Sequence, residues 1–183
     1  ANTEGVVGPG GSVAKQGPFK TAHVIIAPVD IVGTVAVSGS DDLDVIDRRA
    51  KVVMERTTLG HTSMSGVTLE PGEVDLVRAI VGSELSTVRG ESGAAPRVTC
   101  LVNEFSVTTP ATVLYWDATV DIILTLQAAG QQREVKAHGV KRTYAWPTGS
   151  VIKEAAVAAL KTIAKDSNQA LREMMQSAPE VTR

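Results

Sequence analysis

Thr112-Val-Leu-Tyr-Trp-Asp-Ala-Thr-Val-Asp-Ile-Ile-Leu-Thr-Leu126 is the stretch whose reading decides the fold. Taken every second residue, Leu114, Trp116, Ala118, Val120, Ile122, Leu124 and Leu126 are apolar. The residues between them, Tyr115, Asp117, Thr119, Asp121 and Thr125, are mostly polar. Side chains alternate faces along a strand, so the pattern predicts one long strand with one dry face. Straight, it would span about 50 Å, so it is expected to bend or to project from the body.

The neighbours extend this into a meander. Arg97–Val107 reads as a strand, with Val98, Cys100 and Val102 on one face and Thr99, Leu101, Asn103 and Phe105 on the other. Thr108-Thr-Pro110 and Ala129-Gly-Gln-Gln132 are turn signals. Arg133–Tyr144 returns, with Val135, Ala137 and Gly139 opposed to Lys136, His138 and Val140. Short turns between strands imply antiparallel pairing.

Two helices flank the meander. After Glu70-Pro-Gly-Glu73, residues Val74, Val77, Val81, Leu85 and Val88 form one apolar stripe, with Pro71 expected in the first turn. After Trp146-Pro-Thr-Gly-Ser150, residues Ile152, Ala155, Ala156, Ala159, Leu160, Ile163, Leu171 and Met174 form a longer stripe reaching about Gln176. Ser150 is the expected N-cap, with Glu154 in the first turn. The small residues between Ala155 and Ala159 permit close approach to a sheet or to the other helix.

Upstream, residues 1–20 are rich in Gly and Pro and read as a flexible tether. Thr21–Val37 is β-branched, with Pro28 expected at an edge or bulge. Asp41–Leu59 is ambiguous. Leu43, Ile46, Ala50, Val53 and Thr57 recur at helical spacing behind Ser40 and the acidic residues Asp41, Asp42 and Asp44, which favours a helix. Lys51–Leu59 also alternates passably as a strand. Val67-Thr-Leu69 has strand character. The predicted fold class is α+β: a two-layer sandwich, mainly antiparallel, with a C-terminal meander and two amphipathic helices on one face. Residues 21–176 form the domain, and 177–183 a frayed end.

The composition narrows the chemistry. The 183 residues carry a net charge of −2 and no Lys/Arg cluster, which argues against nucleic acid as a partner. No run of about 18 apolar residues is present to make a transmembrane helix. The one cysteine, Cys100, excludes an internal disulfide and reads as a small buried hydrophobe. His23, His61 and His138 stand far apart, none with a second ligand at metal spacing, so no metal or cofactor is expected. Ser63, Ser65 and Ser86 lie in no nucleophile elbow, and Gly8-Pro-Gly-Gly11 is not followed by the Lys-Ser/Thr of a phosphate loop. Asp117 and Asp121 share a strand face about 13 Å apart, too far to work as an acid/base pair. No catalytic residue is assigned.

Four of the six aromatic residues, Tyr115, Trp116, Tyr144 and Trp146, meet at one end of the meander if the strands pair across Gly130. They form either a plug closing the sheet or an interaction patch, since Trp and Tyr dominate binding hot spots.

The order of these elements over residues 67–176 resembles the YajG-like family of bacterial envelope lipoproteins. The matching features are Val67-Thr-Leu-Glu-Pro71 and its helix, the strand Val98–Phe105, the Tyr115 strand running into Asp121-Ile-Ile123, the turn at Gly130, the strand ending near Tyr144, and the last helix. The fold class is also similar to that of small lipoproteins serving as auxiliary subunits of envelope transporters and in curli-type secretion. The resemblance implies an exported, periplasmic protein anchored to the outer membrane by a lipidated N-terminal Cys. No Cys lies near Ala1; either a leader has been removed there or the chain was trimmed, and if the tether is real the lipidated residue was cut off with it. It brings no catalytic residues. The expected function is non-enzymatic protein–protein contact in an envelope assembly, with other envelope proteins or as a homo-oligomer. The alternative is a lipid or apolar-ligand module for envelope transport, holding its ligand between helices and sheet.

Overall fold

The computed structural model describes residues 19–33, 42–60, 62–92 and 96–177. The expected tether therefore lies almost wholly outside the described residues, as do Val35, Val37, His61 and the last six residues. The elements run β1 (Ala22–Ile25), α1 (Val29–Val32), β2 (Leu43–Asp47), β3 (Glu55–Thr57), β4 (Ser63–Glu70), α2 (Glu73–Ser92), β5 (Val98–Thr108), β6 (Trp116–Ala128), β7 (Gln131–Thr143) and α3 (Gly149–Gln176).

The fold is α+β. A four-stranded sheet has the order β2-β5-β6-β7, and a three-stranded sheet the order β1-β4-β3. The meander β5-β6-β7 is antiparallel, as its short connections require. The turn between β6 and β7 places Ala129 at φ 51° and Gly130 at φ 73°, the left-handed pair of a tight hairpin corner. β1 runs parallel to β4, and β2 parallel to β5. The sheets meet at Met54, which bridges Val107 and accepts a backbone hydrogen bond from Val67.

The expected dry face of β6 is dry from Ala118 onward: Ala118, Val120, Ile122, Leu124 and Leu126 are all fully buried. Facing them, α3 buries Ile152, Ala155, Ala156, Ala159, Leu160, Ile163 and Leu171, while α2 buries Leu76, Val77, Ile80, Val81 and Leu85. Where β7 meets α3, the layers nearly touch. A Cβ placed on Gly139 would stand 2.0 Å from the Ala155 carbonyl oxygen and 2.9 Å from the Ala159 nitrogen. The small residues of the α3 stripe permit this approach. Cys100 is fully buried among these apolar side chains, and burial pushes its thiol up to about 12.

Several expectations are corrected. The long strand begins at Trp116, not Thr112, because the chain reverses first: Ala111 pairs with Trp116 across the corner. Residues 41–59 hold no described helix. Leu43–Asp47 instead pairs along β5, and Asp44 meets Arg97 across that edge with Nε–Oδ2 at 2.9 Å. Phe105 lies on the core face with Val102, not with Asn103. Asn103 is an extra residue between the pairs Val102–Leu124 and Glu104–Ile123, and that bulge shifts the alternation by one. Pro28 opens the one-turn helix α1 instead of sitting within a strand, and Pro71 precedes α2, which starts at Glu73. The N-cap position of α3 is Thr148, so Glu154 lies beyond the first turn, where it pairs with Lys141.

Candidate functional site

The meander pairing that aligns Trp116 with Thr143 brings the two aromatic pairs to one end of the sheet. Tyr115 and Tyr144 stand edge to face with ring centres 6.2 Å apart, and Trp116 and Trp146 do the same at 6.1 Å. Both separations fall in the range where aromatic pairs attract. All four residues singled out from the sequence are therefore brought together. They do not form a sealed plug: Tyr144 is 75% exposed, and the other three are half-buried.

The reversal before β6 carries two more apolar side chains into solvent. The Thr112 N–H donates to the Tyr115 carbonyl at 2.7 Å, and the Asp117 N–H donates to the Pro110 carbonyl at 2.9 Å. The Thr112 hydroxyl oxygen accepts from the Leu114 and Tyr115 N–H groups at 3.2 and 3.1 Å. A hydroxyl that satisfies local backbone donors holds a turn without glycine. Val113 and Leu114 occupy the corner and are 86% and 73% exposed. The alternation reading had assigned Leu114 to the dry face; the reversal places it in water.

Two arginines support the rings. Arg142 forms a two-pronged ion pair with Asp117, at 2.8 and 3.0 Å, and its guanidinium lies 3.6 Å from the centre of the Tyr115 ring. The charge-assisted hydrogen bonds hold the Asp117 carboxyl below its usual range and raise Arg142. Arg56 is 6% exposed. It donates to the carbonyl oxygens of Pro147 at 2.9 Å and Lys20 at 2.7 Å, and to the Ser65 hydroxyl at 2.7 Å. It also stands 5.1 Å from the Trp146 ring centre. Among the described residues no carboxylate pairs with it, and desolvation lowers its affinity for the proton. Phe19 packs at a tilt against Trp146, with ring centres 5.1 Å apart. The Trp116 indole donates to the Thr57 carbonyl at 3.2 Å, and the Thr57 N–H donates to the Thr109 hydroxyl at 2.8 Å.

Sequence reasoning missed Phe19, Arg56, Val113 and Arg142. The alternation of β7 already places Arg142 and Asp117 on one face, so the pair was within reach. Arg56 and Phe19 come from segments read as helix and tether, and nothing local pointed to this end.

The remaining candidates scatter. Asp121 meets His138 on the open face of the sheet at 2.5 Å, separate from the Asp117–Arg142 pair. His23 is exposed on β1, and His61 lies outside the described residues. Ser65 is a buried partner of Arg56, with its hydroxyl donating to the Lys20 carbonyl. Among the described residues no group of three or more His, Cys, Asp or Glu side chains is arranged to hold a metal ion, and no helix is long and apolar enough to cross a membrane.

No family model and no curated protein matches this chain. Among solved structures, one titled as the crystal structure of an uncharacterized protein is similar at 12% identity and a TM-score of 0.37, covering 86% of this chain and 93% of its own.

Proposed function

We propose that this protein is a non-enzymatic interaction domain of a bacterial envelope assembly, working by protein contact through the aromatic end of its sheet. One observation carries the reading. Val113, Leu114 and Tyr144 are the three most exposed large apolar side chains among the described residues, and all three stand at this end. Single exposed apolar residues are ordinary on a protein surface; a cluster beside half-buried Trp and Tyr marks a contact surface. The envelope setting, periplasmic and at the outer membrane, rests on the resemblance over residues 67–176 alone.

The alternative, an apolar ligand held between helices and sheet, is opposed by the packing at Gly139, where a methyl group has no room. A groove of about 490 Å3 does run along α3, but its lining of Ser150, Lys153, Glu154, Val157, Ala158 and Lys161 includes the helix's exposed charged side chains.

Light scattering over a range of concentrations tests the contact reading for self-assembly. The expected result is a mass that rises with concentration and falls back to the monomer in Tyr144→Ala. If the wild type captures no copy of itself, the same variant pair is compared in cross-linking of intact cells. Identical cross-link patterns would overturn the proposal.

A further inference from the structure

We infer that the Val113–Leu114 corner is a membrane-facing tip, which dips into a lipid bilayer while the Tyr and Trp side chains behind it lie at the headgroup level. The inference rests on reading this end as the working surface and names what its outermost residues meet.

The first argument is the turn itself. The corner of an exposed reversal ordinarily carries Gly, Asn, Asp, Pro or Ser, because those residues favour the backbone geometry and the contact with water. Here it carries Val and Leu, and the Thr112 hydroxyl supplies the hydrogen bonds that hold it. At 86% and 73% exposure, both side chains stand almost wholly in water. A bilayer receives such a pair without a preformed hollow, because its acyl chains close around whatever enters.

The second argument is what stands beside the corner. Tyr115 and Trp116 follow the aliphatic pair along the chain, Tyr115 pairs with Tyr144 and Trp116 with Trp146, and Tyr144 is as exposed as Leu114. Amphipathic aromatic rings are the side chains that settle at a membrane–water boundary, with aliphatic groups on the hydrocarbon side. Arg142 and Lys141 sit alongside, but each is already paired, Arg142 with Asp117 and Lys141 with Glu154. The attraction is therefore apolar insertion, with little contribution from net charge. Two inserted aliphatic side chains give weak, reversible binding.

Co-sedimentation of the full chain with phosphatidylcholine vesicles, and with vesicles containing phosphatidylglycerol, tests this. The expected result is binding to both, nearly unchanged by added salt. Leu114→Asp should lower it on the order of tenfold or more, and Val113→Asp similarly, with the melting temperature of each variant unchanged. Absence of vesicle binding by the wild type overturns the inference, as does equal binding by wild type and both variants. Binding only to phosphatidylglycerol vesicles, abolished by salt, also overturns it, since that is adsorption by charge. If the wild type ignores vesicles yet Tyr144→Ala still abolishes association, the protein-contact reading survives and the membrane tip does not. Vesicle binding without any Tyr144-dependent association has the opposite meaning.

Discussion

The seam between β7 and α3 and the tip before β6 lie in the same C-terminal part of the chain and follow opposite rules. At the seam the chain uses Gly139, Ala155 and Ala159, the smallest side chains available, and the backbones approach until a methyl group no longer fits. At the tip it uses Val113, Leu114 and Tyr144 and leaves them in water. Close packing explains the first choice, since interiors tolerate neither voids nor overlap. Nothing within the described fold explains the second, because these side chains contribute almost no burial. The contrast separates residues whose burial holds the fold from residues that the fold leaves in water.

The strongest way to break this contrast is at the seam. Gly139→Ala should destabilise the fold by about 3 kcal/mol or more, because the methyl must displace α3 backbone. In thermal melts this corresponds to a loss of roughly 10 °C. A melt within a degree of wild type would show that α3 shifts freely and that the seam is not a constraint.

Arg56 lies between the two regimes, buried like the seam yet at the base of the aromatic end. Arg56→Leu removes the donors that serve two carbonyls and Ser65, and should cost about 2 kcal/mol in chemical denaturation. Arg56→Lys should recover only part of that, since a point charge cannot serve three acceptors in a planar fork. Full recovery with Lys would mean that charge, not geometry, is what the site requires.

The smallest expected effect sharpens the tip. Asp117 has its proton affinity lowered in the folded state by Arg142. The pair's contribution is therefore fully present above the ordinary Asp value of about 3.9, and is lost as pH falls through the lower folded value. In Arg142→Ala the Asp117 carboxyl should titrate closer to that ordinary value by NMR, with the Tyr115 ring resonances moving as its cation is withdrawn. An unchanged titration would mean that the ion pair is not maintained in solution.

How far the sequence could be read depended on the range of the forces involved. The alternation of Ala118–Leu126 was legible because a strand's two faces meet two environments directly. The aromatic end was legible because one turn, at Gly130, aligns Trp116 with Thr143. Phe105 was misplaced because a single inserted residue, Asn103, reverses every later side chain, and alternation carries no sign of it. Leu43–Thr57 is ambiguous in the sequence, with helix favoured, because its apolar spacing fits 3.6 residues per turn while Lys51–Leu59 also alternates. What decides its form lies elsewhere in the chain: β5 offers Val98–Val102 to Leu43–Asp47, and β4 offers Ser63–Gly66 to Glu55–Thr57. Arg56 escaped notice for the same reason, since its partners Lys20, Ser65 and Pro147 come from three separate segments.

The two parallel pairings have a consequence for how the chain is made. Ala22 needs Val67, and Leu43 needs Val98, whereas each strand of the C-terminal hairpin finds its mate across Ala129-Gly130. Loop closure favours near partners over far ones. β1 and β2 thus stand as open edges until β4 and β5 have been synthesised, whereas the C-terminal hairpin needs only its own turn to close.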